Sequence, residues 1–476
     1  MNRFLLLMLL SLSVLMSGQF IQSFHAQTLT AGATQPWRWE VRSAEAFSHG
    51  TLRNVTIKSF WEVQLQLIEK QNQGEFISEV IDAGRKRRWD AIQWITHWTT
   101  PQQWKKYAGN PVLPQGAPGQ WDSNWTSLPS LVRVSASEWR LYYCSSTNGI
   151  GFATGNMDDP VKWKRYEKNP VFTPGRPRKF DAHGPLGPEI VQLSPLHWYM
   201  YYATGGNGPW RTGLAESHDG GLSWTRVSED PIIQLGLPNT FDGAGTGTVS
   251  VMRTESEWKM WYTAAARRDP PLYHIGYATS PDGIHWSKHP ANPVLSFDPF
   301  LPTENIIVSK PHVIFEDGIY KMWYSSQGLQ PNLKDRPYSI GYAESDDGIH
   351  WMKYPANPVL RTSPAPSWDS EQVEYPEVVR FGKELRMWFS GSGYTQIGYA
   401  VSEGEGSGVE IQTRAGDTAA PDNSWSQWSN SYQKPTGSSI SSPPGRYLQF
   451  RAVFRRGDSP VSPTLSRVTV TASPEQ

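Results

Sequence analysis

The chain has 476 residues, enough for two or three domains, and its 44 Lys plus Arg balance 44 Asp plus Glu, so no net charge draws it to nucleic acid or an anionic membrane. Charged residues make up 18% and aromatic residues 13%, with 23 Trp and a mean hydropathy of −0.52, which excludes a disordered or membrane-embedded chain. The single cysteine, Cys144, excludes an intrachain disulfide framework and a multi-Cys zinc site.

Met1-Asn2-Arg3 provides a short positive start, and the apolar run from Phe4 to Met16 is too short to span a bilayer. Residues 1–33 therefore read as a secretory signal removed between Gly18 and Ala33. The alternative, an uncleaved N-terminal anchor, likewise puts the folded part outside the cytoplasm, secreted, periplasmic or on the cell surface. Residues 47–67 and 74–94 then show strand alternation, as in Val63, Leu65 and Leu67, but offer too few strands for a stable sheet.

A repeat follows. WKKYAGNPVL from Trp104, WKRYEKNPVF from Trp163, WTRVSEDPII from Trp224, WSKHPANPVL from Trp286 and WMKYPANPVL from Trp351 are five copies at a period of 59 to 65 residues. Eighteen residues after each Trp stands an acid: Asp122, Asp181, Asp242, Glu304 and Asp369. Seven further on, Pro129, Pro188, Val249, Pro311 or Pro376 opens a β-prone run. An aromatic strand (LYYCSS, MYYATG, MWYTAA, MWYSSQ, MWFSGS) and a Gly-containing strand (IGFAT, TGLAE, IGYAT, IGYAE, IGYAV) complete each copy.

Four short strands per copy predict a five-bladed β-propeller over residues 104–403. The first Trp-to-Asn-Pro segment precedes blade one and the last blade lacks its own, so residues 104–113 are expected to complete blade five. That closure brings the two ends of the propeller together, and residues 408–472 supply further strands, including YLQFRAVF with Leu448, Phe450, Ala452 and Phe454 on one face. The expected architecture is all-β: a five-bladed propeller inserted into a discontinuous β-sandwich built from residues 40–100 and 405–473. The alternative is two independent small pieces.

The flanking pieces, with FSHGTLRNV, DAG and SPPGRYLQFRA, resemble in order the two halves of an accessory, carbohydrate-binding-like sandwich module of exported bacterial proteins. SPDGIHW, SDDGIHW, the Trp-to-NPVL spacing, YKMWYS and PEIVQLSPLHWYMYYA resemble the five-bladed propellers of glycoside hydrolase families 43, 32 and 130, over residues 104–403. In family 43 that resemblance implies an Asp before the Pro of blades one and three and a Glu-Gly-Pro in blade four; here those positions hold Leu128, Thr248 and Ser309-Lys310, so that triad does not carry over. SHDGGLSW at 217–224 also matches the Asp-box of sialidases, a turn signal in which Asp and Gly shape a tight connection.

Candidate chemistry comes from loops converging on the channel mouth and from departures from the repeat, because catalysis needs unlike groups. The departures are His183, Glu304, Lys310, His312, Glu371, Glu374 and Tyr375. Glu374-Tyr375-Pro376 has the family's acid spacing, in blade five, and makes Glu374 the expected acid. Asp122, Asp181, Asp242 and Glu304 are the candidate partner carboxylates, although an acid present in every blade also reads as a repeat-wide hydrogen-bonding cap. His183, Lys310, Tyr375, Trp125, Trp210, Arg267, Arg268 and Arg336 are candidate substrate contacts, the cations for acidic groups and the indoles for sugar faces. His183 and His312 lie on different blades without ligand spacing, so no metal set is assigned and no cofactor is required, with a structural or channel cation left open. The function expected is an exported glycoside hydrolase acting on an oligo- or polysaccharide, with no nucleic-acid partner and no membrane insertion after signal removal; the rivals are a lectin-like or adhesion protein and a sialidase-like or lyase-like enzyme on acidic sugars.

Overall fold

The computed structural model describes residues 36–59, 63–145, 149–205, 208–328, 337–393 and 395–475; the signal reading of residues 1–33 lies outside them. Among the described residues one short helix, Ala44–Ser48, interrupts an otherwise all-β chain, its first turn capped by Ser43 Oγ, which accepts the Ala46 N–H at 3.2 Å. No described helix is long and apolar enough to cross a membrane. The chain forms two compact units: one from residues up to Thr96 with Val409–Arg455 and Thr464–Gln476, the other from His97–Gly408 with Arg456–Pro463.

The first unit is a sandwich made from a ten-stranded sheet around one core, and both ends of the chain are needed to build it. Gly445–Arg455 pairs with Gln73–Ile77, placing Arg451 opposite Ile77 and Arg455 opposite Gln73, while Trp37–Val41 pairs with Thr464–Pro474. Alternation does the sorting: Leu448, Phe450, Ala452 and Phe454 are fully buried, as is Leu65, while Arg451, Val453 and Arg455 on the same strand are more exposed. The outward face carries a cleft of about 510 Å³ bordered by Arg53, Glu75, Glu410, Gln412, Arg451 and Arg455.

The second unit is the five-bladed propeller. Blade one is Ser127–Arg133, Trp139–Cys144, Ile150–Asn156 and Asp159–Arg165; blade two is Pro185–Gln192, Trp198–Thr204, Thr212–Ser217 and Thr225–Arg226. Blade three (Gly245–Arg253, Trp258–Arg268, Pro271–Ser280, Ser287–Lys288) joins blade four (Ile307–Glu316, Ile319–Gln327, Ser339–Ser345, Met352–Lys353) through a single parallel pair, Tyr273 with Ile307. Blade five is Val373–Phe381, Glu384–Gly391 and Gln396–Glu403, and its fourth strand is Gln103–Lys106, with Leu113 bridging to Ile397 further along.

Each repeated residue has a mechanical task. The Asn of Asn-Pro imitates a strand: Asn292 Oδ1 accepts the Tyr277 N–H at 2.7 Å and Nδ2 donates to the Tyr277 carbonyl at 2.9 Å, and Asn110, Asn169 and Asn357 repeat this on Tyr399, Phe152 and Tyr342. The Gly of the third strand makes room for the ring that crosses it, since a Cβ on Gly276 would lie 2.3 Å from Tyr262 Cζ and one on Gly341 2.4 Å from Tyr324 Cζ. Asp219, Asp282 and Asp347 each accept two backbone N–H groups of their turns, which pulls them below the ordinary carboxylate range although burial works the other way. The Asp-box strings are thus tight turns.

Candidate functional site

The first strand of every blade lines the channel, and each carries a bulge where its ladder skips: between Ser127 and Ser130, Leu186 and Glu189, Thr246 and Val249, Ser309 and His312, and Glu374 and Glu377. Leu128, Gly187, Lys310 and Tyr375, each ahead of a proline, have left-handed backbone. A hydroxyl or thiol from the preceding blade holds these backbone N–H groups: Ser390 Oγ takes Leu128, Thr263 Oγ1 takes Lys310, Ser325 Oγ takes Tyr375, and the Cys144 sulfur takes Gly187. Blade three is the exception on both sides. Ala203 stands at the hydroxyl position, and Val249 replaces proline, so its N–H is free to resume the ladder one residue earlier. Burial pushes the Cys144 thiol up to about 12, so this cysteine is an inert bulge support.

One step deeper, Ser130, Glu189, Ser250, His312 and Glu377 form a belt, each gripping the next blade's first strand. Glu189 Oε1 accepts the Val251 N–H at 3.0 Å, Ser250 Oγ the Val313 N–H at 3.0 Å and Glu377 Oε1 the Leu131 N–H at 2.8 Å; Ser130 Oγ meets the Ile190 N–H at 3.4 Å. His312 reverses the direction by donating from Nε2 to the Val378 carbonyl at 2.8 Å, which leaves Nδ1 2.9 Å from Glu377 Oε2. Glu189 is pushed up to about 7 by burial and by the Glu377 charge. Burial works against a charged His312, but Glu377 outweighs it and raises the imidazole; burial would raise Glu377, but His312 and Lys310 hold it down.

Glu189, His312 and Glu377 bring three ligand-type atoms within 4.8 Å of one another. Their lone pairs are largely spent on backbone, and the Lys310 ammonium, 1% exposed and without a hydrogen-bond partner among the described residues, already acts on both carboxylates as the local cation. This donor set fits a buried ion-pair belt better than a metal centre. Glu189 and Glu377 were passed over in the sequence because each looks like the polar opener of an apolar strand; the usable signal was the series Ser, Glu, Ser, His, Glu one residue after the bulge.

The five repeated acids are all buried, and each is bonded within its own sheet rather than to one another. Asp122 accepts from Tyr143 at 2.9 Å and pairs with Arg165 at 2.7 Å; Asp181 accepts from Tyr202 at 3.0 Å and pairs with Arg226 at 2.6 Å. Asp242 takes Tyr262 and Lys288, and Glu304 takes Tyr324 and Lys353, the longer glutamate making the same clamp. In blade five the tyrosine is Phe389, which has no hydroxyl, and Asp369 is held instead by Lys106, Ser363 and Ser367.

At the mouth, Glu374 stands at the first bulge position, where the other blades have Ser127, Leu186, Gly247 and Ser309. It is 1% exposed and accepts from Gln372 Nε2 at 2.7 Å. Tyr375 and Trp125 are half-buried against the same apolar cluster as Leu128. A Cβ on Gly187 would lie 2.6 Å from Thr248 Cγ2 and 2.8 Å from Leu128 Cδ2, so these three close one side of the channel. Trp210 lies beside Gly247, packs edge-on against Tyr273 at 5.1 Å and is covered by the Arg268 guanidinium at 4.8 Å. Arg268 reaches the Gly208 carbonyl while exposed Arg267 turns to the Pro270 carbonyl, so the two do not converge on a common point. His183 is exposed, and Arg336 lies outside the described residues.

The propeller fold is shared with solved glycoside hydrolases. A glycosyl hydrolase from Bacteroides ovatus superimposes with a TM-score of 0.51 at 18% identity, covering 66% of this chain and 96% of its own. A protein of the GH130 family of mannoside phosphorylases, described as containing glycoside hydrolases that target β-1,2 mannosidic linkages in Candida mannan, superimposes with a TM-score of 0.50 at 17% identity, covering 64% and 94%. The fold is that of the propeller glycoside hydrolases. In sequence, the uncharacterized protein Rv1502 of Mycobacterium tuberculosis is 26% identical over 313 residues, 63% of this chain and 98% of that protein. No family model matches the chain.

Proposed function

We propose that the protein is an exported carbohydrate-active enzyme that cleaves glycosidic bonds at the propeller mouth, with Glu374 donating the proton to the leaving oxygen. The observation that carries this reading is the buried carboxylate at the bulge of blade five, a place where four blades have no ionisable group. Enclosure shields the proton that a general acid delivers from exchange with bulk water. Asp122, Asp181, Asp242 and Glu304 are engaged by tyrosine and cation. Glu371, exposed and three residues ahead of Glu374, is the carboxylate we assign to the second role. Three residues of extended chain span up to about 10 Å, which accommodates the roughly 6.5–9.5 Å separation of an inverting pair. Trp210, braced by Tyr273, and Tyr375 provide ring surface for sugar faces.

Incubating the full chain with a panel of plant, algal, fungal and bacterial glycans and weighing the products tests this. Wild type is expected to release defined oligosaccharides, Glu374→Gln to lose release by 100-fold or more, on the order of a removed general acid, and Glu371→Gln to lose it by a similar factor. Release that persists in Glu374→Gln overturns the assignment. The second reading, a non-catalytic glycan-binding propeller, is favoured by the engagement of the repeated acids in clamps, and it predicts glycan retention without product. A sialidase-like site loses ground because Arg267 and Arg268 point to separate carbonyls.

A further inference from the structure

We infer that blade two carries a divalent transition-metal site formed by His197, Glu216 and His218, separate from the channel. His197 immediately precedes the second strand of that blade, Glu216 lies near the end of the third and His218 just past it; the ladder pairs Tyr199 with Glu216 and Trp198 with Ser217, and one step beyond it His197 comes opposite His218. Alternation then puts Tyr199, His197, Glu216 and His218 on one face of the hairpin. The imidazoles stack with centroids 4.5 Å apart and planes 19° apart, and both Nε2 atoms converge on one carboxylate oxygen. His197 Nε2 lies 3.3 Å and His218 Nε2 3.4 Å from Glu216 Oε2, and the three donor atoms fall within 4.8 Å of one another.

The two nitrogen-to-oxygen separations match a metal's requirements, and on metal binding the more exposed His218 ring turns out of the stack to aim its lone pair at the same point. Ligands about 2.0–2.1 Å from a tetrahedral zinc are about 3.3–3.4 Å apart along each edge of the tetrahedron. Two imidazole nitrogens and one carboxylate oxygen are the donor set of an open zinc site, with the fourth position left for water. The donors are also held in place. Leu193 and Ser194 N–H groups both bond the His197 carbonyl, at 2.9 and 3.0 Å, and Tyr199 packs edge-on against the His197 ring at 5.4 Å. His218 sits between Ser217 and Asp219, whose side chains bond each other at 2.7 Å in the turn described above. The corresponding turns of blades three and four have Pro281 and Asp346 in place of His218, so the cluster is a departure from the repeat rather than a product of it. His197 and Glu216 are about one-third exposed and His218 two-thirds, so a metal enters from solvent without opening the blade.

Titration calorimetry of the full chain with ZnCl2, after chelator treatment and dialysis, tests the assignment, with CoCl2 as a spectroscopic substitute whose visible absorption reports a tetrahedral field. One equivalent is expected to bind wild type and raise its Tm. His218→Ala and His197→Ala are each expected to weaken binding about 100-fold or more, at or beyond the top of the range for disturbing a ligand's supporting shell. Their metal-free Tm should stay at the wild-type value, and His285→Ala, which alters a different surface histidine, should bind as wild type does. Absence of stoichiometric binding, or affinity unchanged in both His197→Ala and His218→Ala, overturns the site. Because the readout is metal binding, its failure and the failure of the glycosidase reading are distinguishable.

Discussion

Three of the five seams between neighbouring blades share a bond that the other two lack. Tyr142 donates to the Gly221 carbonyl at 2.8 Å, Tyr201 to Gly283 at 2.8 Å and Trp261 to Gly348 at 2.7 Å, so an aromatic of each second strand grips the Asp-box turn of the next blade. At the seam of blades four and five, Trp323 Nε1 reaches Gln102 Oε1 at 3.1 Å instead. At the seam of blades five and one, Trp388 is fully buried and its Nε1 has no hydrogen-bond partner among the described residues. Blade one has Asn156-Met157-Asp158 where blades two, three and four have a turn of Ser, any residue, Asp and Gly, so no glycine carbonyl stands in the right place. Trp388 packs edge-on against Trp163 at 6.0 Å. A ring of near-identical blades therefore repeats this grip where the copies agree; where they differ, the seam of blades five and one relies on ring packing and on other bonds, Arg386 to the Met157 carbonyl among them.

That contrast can be broken by mutation. The largest effect is expected from the clamps inside blades: Asp181→Ala leaves Arg226 and Tyr202 unpaired and should cost about 3–5 kcal/mol, read as a fall in the denaturant midpoint. Next, Trp261→Phe removes an indole N–H and strands the Gly348 carbonyl, for about 1–3 kcal/mol, whereas Trp388→Phe at the fifth seam loses packing alone and should cost about 1 kcal/mol or less. Equal losses for the two tryptophans would remove the distinction between a bonded and an unbonded indole at the seams. Smaller still, Cys144→Ser should change stability by under about 1 kcal/mol, because Ser325 and Ser390 perform its task elsewhere in the ring.

The belt adds a pH-dependent term. Glu189 holds its proton in the folded chain well above the ordinary carboxylate range, so its contribution is fully present below pH 4.5 and is lost as pH rises toward about 7. His312, raised by Glu377, also contributes below its ordinary range and loses that contribution as pH rises through its folded value. Glu377 acts in the opposite sense, but only as pH falls below the carboxylate range. Melting between pH 5 and pH 8 should therefore show a smaller loss of Tm for Glu189→Gln than for wild type; an equal loss would mean that Glu189 is ionised throughout.

The architecture was legible because its repeat is mechanical. An acid at a constant offset from each Trp, the Asn-Pro and the Gly-aromatic strand each answer to a bond that any blade must make, so their spacing discloses the blade. The split sandwich was legible from too few strands on either side of the propeller. The site was less so. Glu374 stands out as a charge in an uncharged column, but Glu189 and Glu377 share one position with His312 and two serines, and only the cross-channel pairing shows that these five form a belt. The His197, Glu216 and His218 cluster is hidden for a similar reason, since nineteen residues separate its first two members and a strand register unites them.

The pairing of Gln103–Lys106 with Gln396–Glu403 sets an order of events on the ribosome. The two strands are about 290 residues apart, and at roughly 5–20 residues per second the earlier one waits about 15–60 s for its partner. Gln73–Ile77 waits longer still for Gly445–Arg455. A nascent chain thus carries two incomplete sheets until its last strands emerge, and an aggregation-prone edge is exposed for most of synthesis. Moving Gln103–Lys106 behind Glu403 by circular permutation would let blade five finish as it is made.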